Sequence, residues 1–361
     1  MASSVFFCGL LRIRSFNALE PRLREKPFVR LAGATAERLC SADTLSRSLR
    51  SMDLDSVRAL SVGLVAQAER NKVLREGWIG ALRCVALDGW EPICSYNRHC
   101  GGCLVRLVKV KQDGEIVEVE QYYHRYAVAM LIDERFDLAL DFEPLLPNDL
   151  RPPGAAKDDE DEGELTAAKR LLRRVKQTFG WIDVVVGDGL YSNGPFLTLA
   201  RELKMGAVLI AKKETDEPLK EALSLWGQQP AQEVIEDKQA AERIDLWDCP
   251  DLETLDSYDG PIRVVRGRVT KTDDPTAEPS TWCMLLTGKA TRLSAHQGLR
   301  VARGRWHIEN TGFHQWTTRW HFAHVFVHDA DGIQALYWLF FGAFNLLTLF
   351  LYLQLRSYGR D

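Results

Sequence analysis

The sequence predicts an α/β fold in which helices cover a mixed β-sheet. Residues 164–211 alternate helix-type and strand-type patterns. Glu164–Phe179 lines up Leu165, Ala168, Leu172 and Val175 on one helical face, Ile182–Val186 is a buried strand, Phe196–Leu203 is helical and Ala207–Ala211 is a second strand. Such a β-α-β rhythm implies a sheet buried under helices. Two apolar runs also end on Asp-Gly, at Asp88 after Arg83-Cys-Val-Ala-Leu and at Asp188 after Ile182-Asp-Val-Val-Val-Gly. In open α/β sheets ligands gather at the C-terminal ends of strands, so both aspartates are candidate site residues.

The remaining elements follow in chain order. Residues 1–80 read as a helical N-terminal segment: Ser41-Ala-Asp-Thr supplies cap-type residues ahead of a helix with Leu45, Leu49 and Met52 on one face, and Ser56–Leu74 is a second amphipathic stretch. Strand patterns cover Cys84–Leu87, Cys103–Lys109 and Ile116–Ile132. A proline-rich connection with Pro144, Pro147, Pro152 and Pro153 precedes an acidic run, Asp158-Asp-Glu-Asp-Glu162, which suits a solvated loop at a helix N-terminus. Residues 213–293 change character: Asp245–Cys249, Ile262–Val269 and Trp282–Thr287 read as strands between polar turns, a β-rich insertion. Helical patterns return from Ser294, so 81–212 and 294–361 are expected to form the core around that insertion.

Composition narrows the classes. At 361 residues, 46% hydrophobic and 27% charged, the chain has an ordinary soluble globular make-up. The eight cysteines are scattered, which does not fit a disulfide framework. No basic residue precedes the apolar run Val5–Leu11, so a signal peptide is not expected. Residues 10–50 carry nine basic against four acidic side chains, which suits either a solvated helical surface or phosphate contacts. Ile333–Leu353 has no charged residue and meets the length rule for a membrane span, yet it holds Gln334, Asn345 and Thr348; the expectation is a buried core helix.

A third carboxylate, Glu309, lies four residues after Arg305 in Arg305-Trp-His-Ile-Glu-Asn, which places the two on one helical face with the glutamate turned inward. Three carboxylates drawn together repel unless a cation lies between them, and hard oxygen ligands suit Mg²⁺ or Mn²⁺. Such ions activate water and stabilise leaving oxygens in phosphodiester chemistry. A metal-dependent nucleic-acid enzyme is the leading expectation. No nucleophile elbow competes with it.

Asp43-Thr-Leu-Ser-Arg, Leu87-Asp-Gly, Tyr122-Tyr-His-Arg, Gly163-Glu-Leu-x-Ala-Ala-x-Arg-Leu-Leu, Val186-Gly-Asp-Gly-Leu-Tyr and Arg305-Trp-x-Ile-Glu-Asn together resemble the DDE transposases of bacterial insertion sequences over roughly residues 40–355. The resemblance implies an RNase H-like core in the branch with a β-rich insertion before the catalytic glutamate. It implies Asp88, Asp188 and Glu309 as the catalytic, Mg²⁺-binding triad, spaced by 100 and 121 residues. It further implies cleavage and strand transfer at terminal inverted repeats and target DNA, a homodimer on DNA, no membrane, and a cytoplasmic, nucleoid-associated bacterial protein. Arg305 and Asn310 become DNA-contact candidates. The tyrosine and lysine of the cut-and-paste signature are replaced by Ala302 and Trp316, so Arg319, or Arg300 and Arg303, are the candidates to take over their phosphate contacts. Trp247 and Trp282 are candidates to stack on a flipped base, although a strand tryptophan is more often core. The alternative is a catalytically inactive, truncated DNA-binding relic.

A second cluster, Cys94-x4-His99-Cys100-Gly-Gly-Cys103 followed by His124, has metal-ligand spacing. Two readings fit it: a structural Zn²⁺ held by Cys100, Cys103, His124 and either His99 or Cys94, or two glycine-turn cysteines with no metal.

Overall fold

The computed structural model describes residues 1–33, 40–75, 79–112, 114–151, 161–211, 217–255, 257–274 and 276–355. Arg38, Pro152, Pro153 and the first three positions of the acidic run lie outside them. The N-terminal segment is helical, as its cap residues predict: α1 (Ala2–Leu10), α2 (Phe16–Leu19), α3 (Lys26–Leu31), α4 (Ala42–Arg50) and α5 (Leu54–Arg70). Ser41 caps α4 by accepting from the Thr44 amide at 3.2 Å, and Asp53 caps α5 by accepting from Ser56 at 2.9 Å.

One ten-stranded sheet follows, built from β1 (Cys84–Ser95), β2 (Leu104–Gln112), β3 (Glu115–Ile132), β4 (Leu138–Pro144), β5 (Val184–Gly187), β6 (Gly206–Ile210), β7 (Glu233–Asp237), β8 (Glu242–Leu252), β9 (Ile262–Lys271) and β10 (Ser280–Thr287). The strand order is β2-β3-β1-β5-β6-β10-β9-β8-β7, with β4 also on β3. Strands β1, β5 and β6 are parallel; the other pairings are antiparallel. Helices α6 (Glu164–Thr178) and α7 (Gly194–Glu202) make the crossovers that parallel strands require. This mixed sheet flanked by helices is consistent with an RNase H-like fold, the class the sequence predicts.

Two details differ from the expected elements. β1 does not end at Leu87 but runs on to Ser95, because β3 stays paired with it from Cys84↔Ile132 to Ser95↔Tyr122 after β5 has dropped away. The β-rich stretch is joined edge to edge with the core: β10 pairs antiparallel with β6 from Thr287↔Ala207 to Met284↔Ile210. α8 (Glu217–Trp226) packs on that extension, against β8, β9 and β10.

Alternation of side chains divides the sheet into two buried faces. On one, Cys84, Ala86, Val184, Val186 and Met284 pack under α9 (Ala295–Gly304), α11 (Ala330–Leu355) and the N-terminal helices; between these two helices lies α10 (Gln315–Thr318). On the other, Val85, Leu87, Val185, Ala207 and Leu285 pack under α6, α7 and α8. α11 is long and apolar enough to cross a membrane by composition, yet it packs against α1, α4, α5 and β4. Its Tyr337, Phe340 and Phe341 are fully buried, each contributing roughly 1.5–3 kcal/mol. Asn345 on this helix is also fully buried: its amide donates to the Ala139 carbonyl at 2.7 Å, and its Oδ1 accepts from the Ala139 N–H at 2.9 Å. A polar residue in the apolar helix thereby completes the backbone hydrogen bonding of the edge strand β4.

Candidate active site

Asp88 and Asp188 both lie just past the parallel pairing of β1 with β5. Cys84, Val85 and Ala86 pair with Val184, Val185 and Val186, a constant offset of 100 residues. Asp88 and Asp188 share that offset two residues beyond the last paired positions, where β1 goes on and β5 has ended. Asp88 is therefore the fifth residue of a long strand, although it does stand where the parallel pairing ends. Alternation from Ala86 turns Asp88 toward the face covered by α9. The Asp88 Oδ1 accepts from the Gly89 amide at 2.8 Å, and the Asp188 Oδ1 accepts from the Leu190 amide at 2.8 Å.

Glu309 arrives on that face, held by Arg305. The Arg305 guanidinium lies 2.8 Å from Asp88 Oδ2 and 2.7 Å from Glu309 Oε1, and its side chain is 7% exposed. The expected helix is segmented here: α9 ends at Gly304, and Ile308–His314 winds as a π-helix, a feature frequent at functional sites. Ile308 and Gly312 of that turn are buried, whereas Glu309 is 47% exposed. The glutamate is thus not turned inward as expected, because the inner position is filled by Arg305. Burial pushes the Asp88 carboxyl up to about 6; Arg305 and the Gly89 amide pull it down, while the charges of Glu164 and Glu309 add to the rise.

Sequence reasoning assigned Glu164 no role, yet it belongs to this site. It opens α6, where a glutamate reads simply as a complement to the helix dipole. In the fold its Oε2 accepts from Arg125 at 2.6 Å and its Oε1 from the buried Tyr191 hydroxyl at 2.9 Å. The carboxylate lies where a Cβ at Gly89 would stand, so any larger residue after Asp88 would displace it. Burial and the Glu164 carboxylate hold the Tyr191 phenol well above its ordinary range, keeping it a donor. Arg125, Glu164 and Tyr191 each come from a segment that carries the resemblance, which was the available signal.

The other candidates separate. Asn310 lines a cleft of about 750 Å³ with Trp282, Trp306, Arg300, Arg303 and Glu242. Trp282 stacks obliquely on Trp306 with ring centroids 5.3 Å apart, and Trp306 is 49% exposed. Trp247 is not brought to this cleft; it packs on the opposite face of the sheet, under Arg266 at 4.8 Å. Arg319 is exposed just beyond α10. Arg303 is engaged by Glu242 at 2.7 Å, and Arg300 pairs with Glu134. Ala302 and Trp316 are both fully buried, and Trp316 packs against Trp90, Phe313 and Phe341. Both replaced signature positions therefore serve the core.

In the cysteine–histidine region, the ligand atoms of Cys100, Cys103, His124 and His328 all lie within 4.8 Å of one another. The fourth member is His328, which precedes α11, in place of the expected His99 or Cys94. Cys94 is exposed, because its place on β1 opposite Tyr123 turns it away, and His99 stacks on Tyr122 at 4.9 Å.

Fold and site define an RNase H-like α/β protein with acidic side chains gathered where its parallel strands end. Residues 147–346, more than half of the chain, match the family model of the transposase DDE domain. The chain belongs to that family, which makes it a transposase with DNA as its partner. The matched span includes Glu164, Asp188, Arg305 and Glu309, and Asp88 lies before it. No match is found among curated proteins.

Proposed function

We propose that this transposase cuts and joins DNA strands at the ends of an insertion sequence, with Asp88, Asp188 and Glu309 as its divalent-metal ligands. The observation that carries this reading is the Arg305 bridge from Asp88 to Glu309, supported by the offset of 100 residues between β1 and β5 that Asp88 and Asp188 share just beyond the paired positions. The donor set suits Mg²⁺ or Mn²⁺: it consists of carboxylate oxygens, and Asp88 is half-buried and crowded by Glu164 and Glu309, so its ionised form gains from positive charge beyond Arg305. When bound, the metal would activate water and stabilise the leaving oxygen of a phosphodiester.

The chain's own residues supply positioning. Arg305 holds Asp88 and Glu309 in a fixed relation across the site. Glu164, itself held by Arg125 and Tyr191, closes the side behind Asp88. In the proposed reaction a water nicks the element end, and the freed 3′-hydroxyl then attacks a second phosphodiester. Asn310, Arg319 and the Trp282–Trp306 pair are the DNA contacts this reading favours, with two chains pairing two ends as a homodimer. Trp282 and Trp306 offer ring faces on which a base would stack.

The test is metal-dependent cleavage of supercoiled plasmid carrying the element's terminal repeats, comparing wild type with Asp188→Ala. Nicking at the ends that Asp188→Ala abolishes is the expected result. A second reading, a DNA-binding relic without catalysis, is favoured by one observation: the tyrosine and lysine positions are filled by buried Ala302 and Trp316. Binding to the ends without cleavage, by folded protein, would establish that reading instead.

A further inference from the structure

We propose that Cys100, Cys103, His124 and His328 form a Cys₂His₂ zinc site that staples the strand bearing Asp88 to the chain that follows Glu309. The geometry is that of a tetrahedron's edges. With Zn–S near 2.3 Å and Zn–N near 2.0–2.1 Å, tetrahedral ligands stand about 3.8 Å apart for two sulfurs and about 3.5 Å apart for sulfur and nitrogen. Cys100 Sγ and Cys103 Sγ are 3.8 Å apart. Cys100 Sγ lies 3.4 Å from His124 Nε2; Cys103 Sγ lies 3.3 Å from His124 Nε2 and 3.5 Å from His328 Nε2. A disulfide would set the sulfurs about 2.0 Å apart, so this is not one.

The surroundings support the same assignment. Cys103 and His124 are 7% and 5% exposed. Two thiols and two imidazoles with their polar atoms converging gain little as apolar packing, and their convergence calls for a shared partner. The Cys100 amide points at Cys103 Sγ at 3.3 Å, and the Cys103 amide donates to the Cys100 carbonyl at 3.0 Å, closing a tight Cys-Gly-Gly-Cys turn. A Cβ at Gly102 would stand 2.6 Å from the Ala330 Cβ, so glycine is what lets the turn approach α11. His328 Nδ1 is buried without a hydrogen-bond partner among the described residues, so Nε2 carries the one polar contact of this ring, with Cys103.

Four protein ligands leave no open coordination position, which makes the site structural. Two thiolates and two imidazoles also select zinc over the hard cations proposed for the carboxylates. The site joins three parts of the chain: the β1–β2 connection, β3 at His124 opposite Ile93 of β1, and the segment ahead of α11. Asp88 and Glu309 lie on the two arms so joined.

The test is the metal content of the purified full-length chain, with Co²⁺ exchange as a spectroscopic probe. About one zinc per chain is expected to survive dialysis, and the Co²⁺ form should show sulfur-to-cobalt charge transfer with tetrahedral d–d bands. His328→Ala and Cys103→Ser should lower retained zinc at least about tenfold, while Cys94→Ser and His99→Ala keep it. A metal-free wild type whose unfolding temperature ignores chelator overturns the proposal. So does full zinc retention in His328→Ala with loss in Cys94→Ser or His99→Ala. If the ligand variants do not fold, the Co²⁺ spectrum of wild type decides alone: an octahedral spectrum without charge transfer refutes the site. None of these readouts depends on DNA cleavage.

Discussion

Gly89→Ala should act through Glu164 alone, and a double-mutant cycle measures it. The added methyl overlaps the Glu164 carboxylate, which must swing away from both Arg125 and Tyr191. Two hydrogen bonds to a charged group are then lost, one of them leaving the fully buried Tyr191 hydroxyl unpaired. At about 1.5 kcal/mol or more for each such bond, the substitution should cost roughly 3 kcal/mol. Glu164→Ala removes the same two bonds and should cost a similar amount. With the carboxylate gone, however, the methyl at position 89 meets only the tip of the flexible Arg125 side chain at 3.0 Å, which has lost its partner and can give way. The double variant should therefore cost roughly 3 kcal/mol and not roughly 6, a coupling of about 3 kcal/mol between the two positions. Equilibrium urea unfolding of the four proteins gives the cycle. Additive losses would refute the reasoning, because they would mean that Gly89 serves the fold by a route that does not pass through Glu164.

Other expectations follow from buried polar groups. Asn345→Leu should destabilise by about 2–4 kcal/mol in the same unfolding assay, because it strips the Ala139 N–H and C=O of their partners. Asp141, fully buried, accepts from Arg58 and Arg174; after Asp141→Ala, Arg58 keeps Thr178 and Arg174 keeps Glu143, so the loss should be about 1.5–3 kcal/mol. Hydrogen bonding to Arg303, with Lys271 beside it, lowers Glu242 to about 2 against burial. The ion pairs' contribution is full above the ordinary glutamate range and lost as pH falls through about 2. Because Arg303 and Lys271 are 41% and 48% exposed, solvent screening limits it to about 1 kcal/mol. Glu242→Gln should correspondingly flatten the acid limb of a stability–pH curve; an unchanged limb would sink the assignment.

Asp88 and Asp188 were legible because each ends an apolar run, a local pattern that survives without knowing the fold. Arg305 and Glu309 were legible as a spacing, but not the π-helical turn that leaves Glu309 half exposed while Arg305 takes the interior. Glu164 was hidden by its position: at a helix start its charge already has a sufficient local explanation. His328 stands 225 residues from Cys103, so no local spacing could nominate it over the nearer His99 or Cys94. The joining of β10 to β6 was equally invisible, since strand patterns show which residues face a core and not which edge they will pair with.

That edge pairing has a mechanical consequence. Trp282 belongs to β10, which the sheet joins through β6 and β5 to the strand that carries Asp88, and Trp306, after α9, packs on Trp282. If the cleft takes DNA as proposed, its Trp282 wall is tied through the sheet to the strand of Asp88, so an entering duplex would have to supply much of the deformation itself. The elastic cost of bending or unstacking then falls on the nucleic acid and varies with its base steps. Flexible pyrimidine–purine steps would be favoured at positions where no side chain touches a base, so the stiffness of the sheet becomes a source of sequence preference.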